Sequence, residues 1–273
     1  MLQPHFSHPR QTFRIIFFDC DSTLVTIEGI DELARLKGQA ERVAELTRRA
    51  MEGELSLEQV FAERLRLLQP TRADLEELAR LYRAHQVSDA RAVIAALRAM
   101  GCRVCIVSGG LLDAVKNLAR TLGVPARDVY AVPVLFDQLA GKWWQYEQDR
   151  YGGNPQERYL TIAPTPLSET YGKRTLIAQI AGNEKRTMLV GDGITDWHAR
   201  DVVRRFVGFG GVCRREQVAA QAEVYIEAPR LAAVVPLALS TTDAQRCLAT
   251  EHADILRRGL EDIEQGRVIF RKV

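Results

Sequence analysis

A chain of 273 residues, 47% hydrophobic and 26% charged, has room for one large core or for a core with a smaller inserted unit. Its net charge of +2 comes from scattered lysines and arginines, which argues against nucleic acid or an anionic membrane as partner. No apolar run approaches the ~20 residues of a membrane helix, and the first ten residues hold no secretory segment, so a cytoplasmic protein is expected.

In chain order, an irregular start over 1–12 leads to a strand at 13–18, whose run Ile15-Ile16-Phe17-Phe18 is apolar throughout. Such a run suits a strand buried on both faces of a parallel sheet. It ends in Asp19 and Asp21, spaced to point to one side of a strand. From 29 to 86 the period changes to that of helices, with stripes from Ile30 to Leu36, Val43 to Ala50, Leu57 to Leu68, and Leu75 to Tyr82. This segment reads as a small helical cap over the crevice.

A sheet resumes beyond it. Ser88-Asp89 can cap a helix ended by Gly101, a strand covers 102–107, and a helix covers 111–122. Strand-like runs at 129–136 and 142–146 suggest a hairpin around Ala140-Gly141. Residues 147–171 show no period. A helix at 172–181, strands at 187–190, 206–209 and 224–226, and a helix at 229–239 follow. The tail, 242–265, is amphipathic, and its stripe must be buried against this subunit or another, so a homodimer stays open. The five cysteines form no even framework, and Cys102 and Cys105 face opposite sides of one strand, so packed thiols in a reducing compartment are expected.

The alternation implies an α/β, doubly wound parallel sheet. Its core domain comprises 13–28 and 87–239, the helical cap 29–86 and a C-terminal helical extension 240–273. Four strand or helix ends carry chemistry: Asp19 and Asp21, Ser108-Gly109, Lys173, and Asp192 with Asp196. Carboxylates brought together repel unless a cation joins them, and an all-oxygen set points to Mg²⁺. A hard cation, a lysine and backbone N–H groups suit a phosphoryl group. Asp19, ionised near neutrality, can attack phosphorus, while Asp21 can hold the proton that the leaving group needs.

The motifs Phe18 to Val25 (FDCDSTLV), Val107 to Gly110 (VSGG), Lys173 and Gly191 to Asp196 (GDGITD) resemble those of the haloacid-dehalogenase-type phosphatases. Across 13–238, through Asp21–Leu36, Met51–Leu68 and Phe206–Val218, the chain is similar to the phosphoserine phosphatases among them. The resemblance implies Asp19 as nucleophile and Asp21 as general acid and base. It implies Mg²⁺ held by Asp19, the Asp21 main chain and Asp192, with Asp196 supporting. Substrate contacts would come from Ser108, Gly109, Lys173 and Thr195, with Glu28 for a substrate ammonium and Arg64 for its carboxylate. The implied reaction is hydrolysis of O-phosphoserine through an aspartyl-phosphate. Another small phosphomonoester, transfer to an alcohol such as homoserine, and a silent binding protein are the alternatives.

Overall fold

The computed structural model describes residues 6–51, 54–137 and 157–271. Its first strand, β1 (Ile15–Phe18), is buried on both faces, Ile16 and Phe18 packing into one apolar layer and Phe17 into the other. Four helices follow in succession: α1 (Gly29–Leu36), α2 (Ala40–Met51), α3 (Leu57–Leu68) and α4 (Arg72–Ala84). Ser56 and Thr71 open the last two with reciprocal caps, each side chain accepting from the third backbone N–H of its helix.

The chain returns through α5 (Ala90–Ala99) to β2 (Arg103–Leu111), α6 (Leu112–Leu122) and β3 (Val129–Val132). Then come β4 (Val134–Asp137), β5 (Arg158–Ile162), α7 (Gly172–Ala181), β6 (Thr187–Gly191), α8 (Ile194–His198) and β7 (Arg205–Phe209). The rest is α9 (Glu216–Gln221), β8 (Val224–Ile226), α10 (Val234–Ala238), α11 (Thr241–Leu248), α12 (Ala253–Glu264) and β9 (Val268–Phe270). The main sheet runs β3-β2-β1-β6-β7-β8-β9, parallel through β8 and closed by an antiparallel β9. Strand order reverses at β1, which is the switch point where such sheets open a crevice at their carboxyl ends. Phe18 lies level with Ile106 of β2 and Val190 of β6, so the residues that follow these three emerge at one edge.

Several expectations need correction. Residues 129–136 are two strands, split at Pro133, whose missing N–H stops the ladder. The second of them, β4, pairs antiparallel with β5, which lies inside the stretch 147–171 expected to have no regular structure. The proposed partner at 142–146 and the turn at Ala140-Gly141 lie outside the described residues. The strand expected to stop at 107 continues to Leu111, through Ser108-Gly109-Gly110. Asp89 does not cap its own helix; its Oδ1 accepts from the distant Leu231 N–H at 2.9 Å. The helix expected over 229–239 is confined to 234–238, because Pro236 cannot donate back to the carbonyl of Ala232. Cys102 and Cys105 do face opposite apolar layers, and all five cysteines are free. No helix among the described residues is long and apolar enough to cross a membrane.

The tail folds back on its own subunit. Its stripe divides between α11 and α12, with Leu256 and Ile263 buried, and β9 extends the sheet beyond β8. A Cβ at Gly259 would stand 2.3 Å from the Ala232 carbonyl oxygen, so only glycine lets α12 come so close. The fully buried Asp262 anchors the tail, accepting from Arg230 Nε at 2.8 Å, Arg230 Nη2 at 2.7 Å and Arg267 Nη1 at 3.0 Å. Because both arginines reach solvent and can be rehydrated, Asp262→Ala should cost about 1.5–3 kcal/mol in urea unfolding, as expected of charged hydrogen bonds. A loss below about 0.5 kcal/mol, the range of ordinary surface changes, would show the anchor to be dispensable.

Candidate active site

The site begins where β1 ends. Asp19 N–H still donates to the Val190 carbonyl at 2.9 Å, continuing the β6 ladder by one residue. Beyond it the chain turns, with the N–H groups of Thr23, Leu24 and Val25 all directed at the Cys20 carbonyl and Ser22 in the left-handed region at φ 51°. Asp19 and Asp21 therefore do not share a strand face, as their spacing suggests; they flank a turn. The turn leaves Asp19 Oδ1 accepting from the Cys20 N–H at 2.7 Å and Oδ2 at 2.8 Å from Lys173 Nζ.

Lys173, near the start of α7 and 6% exposed, also lies 2.8 Å from Asp196 Oδ1. Burial alone would lower its pKa, but the two carboxylates raise it overall, so the ammonium persists. Asp196, in the first turn of α8, receives the Gly193 N–H on Oδ2 at 3.1 Å. Asp192, at the end of β6, accepts from Thr23 Oγ1 at 3.1 Å and from Arg215 Nε at 2.7 Å. The other end of that guanidinium, Arg215 Nη2, donates to Glu28 Oε1 at 2.8 Å, where Ser22 Oγ also donates at 2.7 Å. Burial first, then neighbouring negative charge, raises the pKa of both Asp192 and Glu28.

Asp21 stands apart from this group. Its Oδ1 accepts from Tyr82 OH at 2.6 Å and Gly29 N–H at 2.8 Å. Its Oδ2 faces Gly110, where a Cβ would come within 2.9 Å of it and 3.2 Å of Ser108 Oγ. Burial foremost, followed by the charge of Glu28, pushes the carboxyl up to about 8. Ser108 is fully buried and its Oγ accepts from the Gly110 N–H at 2.9 Å, at a register shift in the β2–β3 ladder. Gly109 is half-buried and open on its Cβ side, and Thr195 is half-buried at the start of α8.

Arg64, on α3, donates to the Thr47 hydroxyl, and its Nε is buried without a partner. Burial lowers its pKa, against the opposing pull of Asp31 and Glu28. It does not pair with Glu28, whose Oε1 takes both Ser22 and Arg215.

Carboxylate oxygens of Asp19, Asp192 and Asp196 lie within 4.8 Å of one another. The wider site, with Asp21 and Glu28, sets these acids against two cations, Lys173 and Arg215. Excess buried negative charge and an all-oxygen donor set fit a hard divalent cation. The carboxylate of Asp21 lies outside that cluster, held by Tyr82 and Gly29. Three contributors escape a reading of the sequence. Tyr82 passes as one more residue of a helical stripe, Arg215 as part of a basic surface pair, and Thr23 as a turn residue. A hydroxyl on an otherwise apolar stripe is the only local signal for Tyr82.

A family model described as haloacid dehalogenase-like hydrolase matches residues 13–199. Human phosphoserine phosphatase is 33% identical over 211 residues, spanning 77% of this chain and 88% of its own. The phosphoserine phosphatase of Drosophila melanogaster is 31% identical over 219 residues, 79% of this chain and 75% of its own. A substrate-bound phosphoserine phosphatase structure superposes with a TM-score of 0.62 at 26% identity, covering 81% of this chain and 95% of that one. A phospho-aspartyl intermediate analogue of phosphoserine phosphatase gives 0.60 at 27%, covering 80% and 94%.

Proposed function

We propose, from the premise that the chain belongs to the haloacid dehalogenase-like hydrolases and is a phosphoric monoester hydrolase, that it cleaves O-phosphoserine to serine and phosphate through an aspartyl-phosphate. The observation that carries the chemistry is Lys173, whose ammonium stands 2.8 Å from both Asp19 and Asp196 at the switch point of the sheet. An ammonium there orients the Asp19 carboxylate and neutralises phosphoryl oxygens beside it.

In this reading Asp19 Oδ2 attacks phosphorus. As the bond to the serine oxygen breaks, that oxygen keeps the electron pair and takes a proton from Asp21, leaving Asp19 as an acyl phosphate. Asp21, now a carboxylate, then removes a proton from water as the water oxygen attacks phosphorus and Asp19 is released. Ser108 and the Gly109 N–H hold phosphoryl oxygens with Lys173, and Thr195 stands at the same edge. Asp19, Asp192 and the main chain of Asp21, supported by Asp196, would hold Mg²⁺, which when bound supplies charge neutralisation at the phosphoryl group.

Residues 29–86 serve as a cap on the core formed by 13–28 and 87–239, with 240–273 as an extension. Glu58 of α3 reaches across to the loop before α7, accepting from Thr170 N–H at 2.7 Å and Thr170 Oγ1 at 2.9 Å. Arg72 of α4 grips Glu157 next to β5 through Nε at 3.0 Å and Nη2 at 2.6 Å. Such contacts close a cover that excludes water during the first step.

Phosphoserine as substrate is supported by the relatives and by two groups of opposite sign. Glu28 Oε2 takes none of the donors bound at Oε1, and Arg64 Nε is a buried donor without a partner. They would meet the ammonium and the carboxylate of an amino acid. Arg64→Ala should reduce kcat/KM on O-phosphoserine by about tenfold or more, the loss of one charged hydrogen bond, relative to a phosphomonoester lacking a carboxylate. The assay, run with and without added Mg²⁺ after chelation, includes an alcohol acceptor. Equal loss on both substrates would remove Arg64 from recognition, and a new phosphoester would mark a transferase.

A further inference from the structure

Tyr82 is a wholly buried polar side chain that the reaction scheme leaves without a role. It stands near the end of α4, and its hydroxyl reaches 2.6 Å from Asp21 Oδ1, the oxygen that also takes the Gly29 N–H at 2.8 Å. The surroundings are shaped for that hydroxyl. A Cβ at Gly29 would stand 2.1 Å from Tyr82 OH, and one at Gly110 would stand 3.1 Å from it and 2.9 Å from Asp21 Oδ2. Two glycines, from α1 and β2, thus clear the space in which phenol and carboxyl meet. The ring carbon Cζ shares the clearance at Gly29, 2.9 Å from that Cβ, whereas at Gly110 the nearest atoms are polar: Asp21 Oδ2, the Tyr82 hydroxyl and Ser108 Oγ.

We propose that Tyr82 is a positioning residue for proton transfer: with the Gly29 N–H it pins one oxygen of Asp21, so that the other is held toward the leaving group. This rests on the assignment of Asp21 as the acid. Two donors on Oδ1 leave Oδ2 as the oxygen that carries the transferable proton, and they prevent the carboxyl from exchanging its two oxygens by rotation. A general acid contributes only when its proton lies within hydrogen-bond reach of the departing oxygen. Gly29 opens α1 and Tyr82 nearly closes α4, so both donors come from the two ends of the segment 29–86. Displacement of that segment would release Asp21 from both at once.

The test compares a poor leaving group with a good one. Serine leaves O-phosphoserine only with a proton, whereas the phenolate of p-nitrophenyl phosphate departs without one, so the ratio of kcat/KM for the two reports proton donation. Tyr82→Phe keeps the ring and its packing, and should lower that ratio about tenfold or more, part of the 10²–10⁴ typical of a general acid. Asp21→Asn should lower it further. Tyr82→Leu, which removes ring and hydroxyl together, should slow both substrates and show the same reduced ratio as Tyr82→Phe. An unchanged ratio in Tyr82→Phe, or a parallel loss on both substrates, would reduce Tyr82 to a packing residue and overturn the proposal. A wild-type ratio in Asp21→Asn would instead sink the assignment of Asp21, and the proposal with it.

Discussion

Asp19→Asn should abolish turnover, lowering kcat on O-phosphoserine on the order of 10⁴-fold or more, as loss of a nucleophile does elsewhere. The amide keeps the shape and can still accept from the Cys20 N–H, but it has no anionic oxygen to bond to phosphorus. Lys173 retains Asp196 at 2.8 Å, so the buried ammonium keeps a partner and the fold should survive. Rapid-quench measurement of phosphate release, alongside trapping of phosphoprotein in the wild type, gives the answer. A variant retaining a rate within about tenfold of wild type would remove Asp19 as nucleophile.

The second large effect concerns Asp21. Its substitution by Asn should slow turnover of O-phosphoserine by ~10²–10⁴-fold, because it removes the proton donor of the first step and the proton acceptor of the second. The pH dependence has a definite sign. Burial, then the charge of Glu28, raises this carboxyl to about 8, so it is protonated at neutral pH and loses its proton as pH climbs through that value. kcat/KM should therefore fall on the alkaline side, at or below about 8 because a bound cation draws nearby carboxyl values down. That limb should vanish in Asp21→Asn. An alkaline limb of wild-type shape in the variant would assign it to another group.

The same carboxyl shows how far local pattern carries. Asp19 and Asp21 are legible as a pair because they follow an apolar strand, and Ser108, Lys173, Asp192 and Asp196 because each follows an apolar run or opens a helical one. Chain order alone implies that these ends meet, since parallel strands in a doubly wound sheet share one carboxyl edge. A common strand face, which the i, i+2 spacing implies, does not pair them, because the chain has already turned at Cys20. Their separate surroundings come from the turn: Asp19 is drawn to Lys173, Asp21 to Tyr82.

Where the pattern misled, a tertiary partner outweighed a local one. Asp89 has the position of a helix cap but serves Leu231, and β4 pairs with β5, which lies inside a stretch without hydrophobic period. The tail's stripe by itself fits burial against this subunit or another; the pairing of Asp262 with Arg230 and the approach of Gly259 to Ala232 hold it on its own core.

By itself the sequence determined the strand–helix alternation, the apolar layers on both faces of the sheet and the acids at its switch point. Those follow from hydrophobic period and chain connectivity, which are local and additive along the chain. Only the tertiary structure decided that Arg215 bridges Asp192 to Glu28 and that Tyr82 holds Asp21. These contacts join residues far apart in the chain, and a hydrogen bond needs a match in distance and direction that periodicity does not encode.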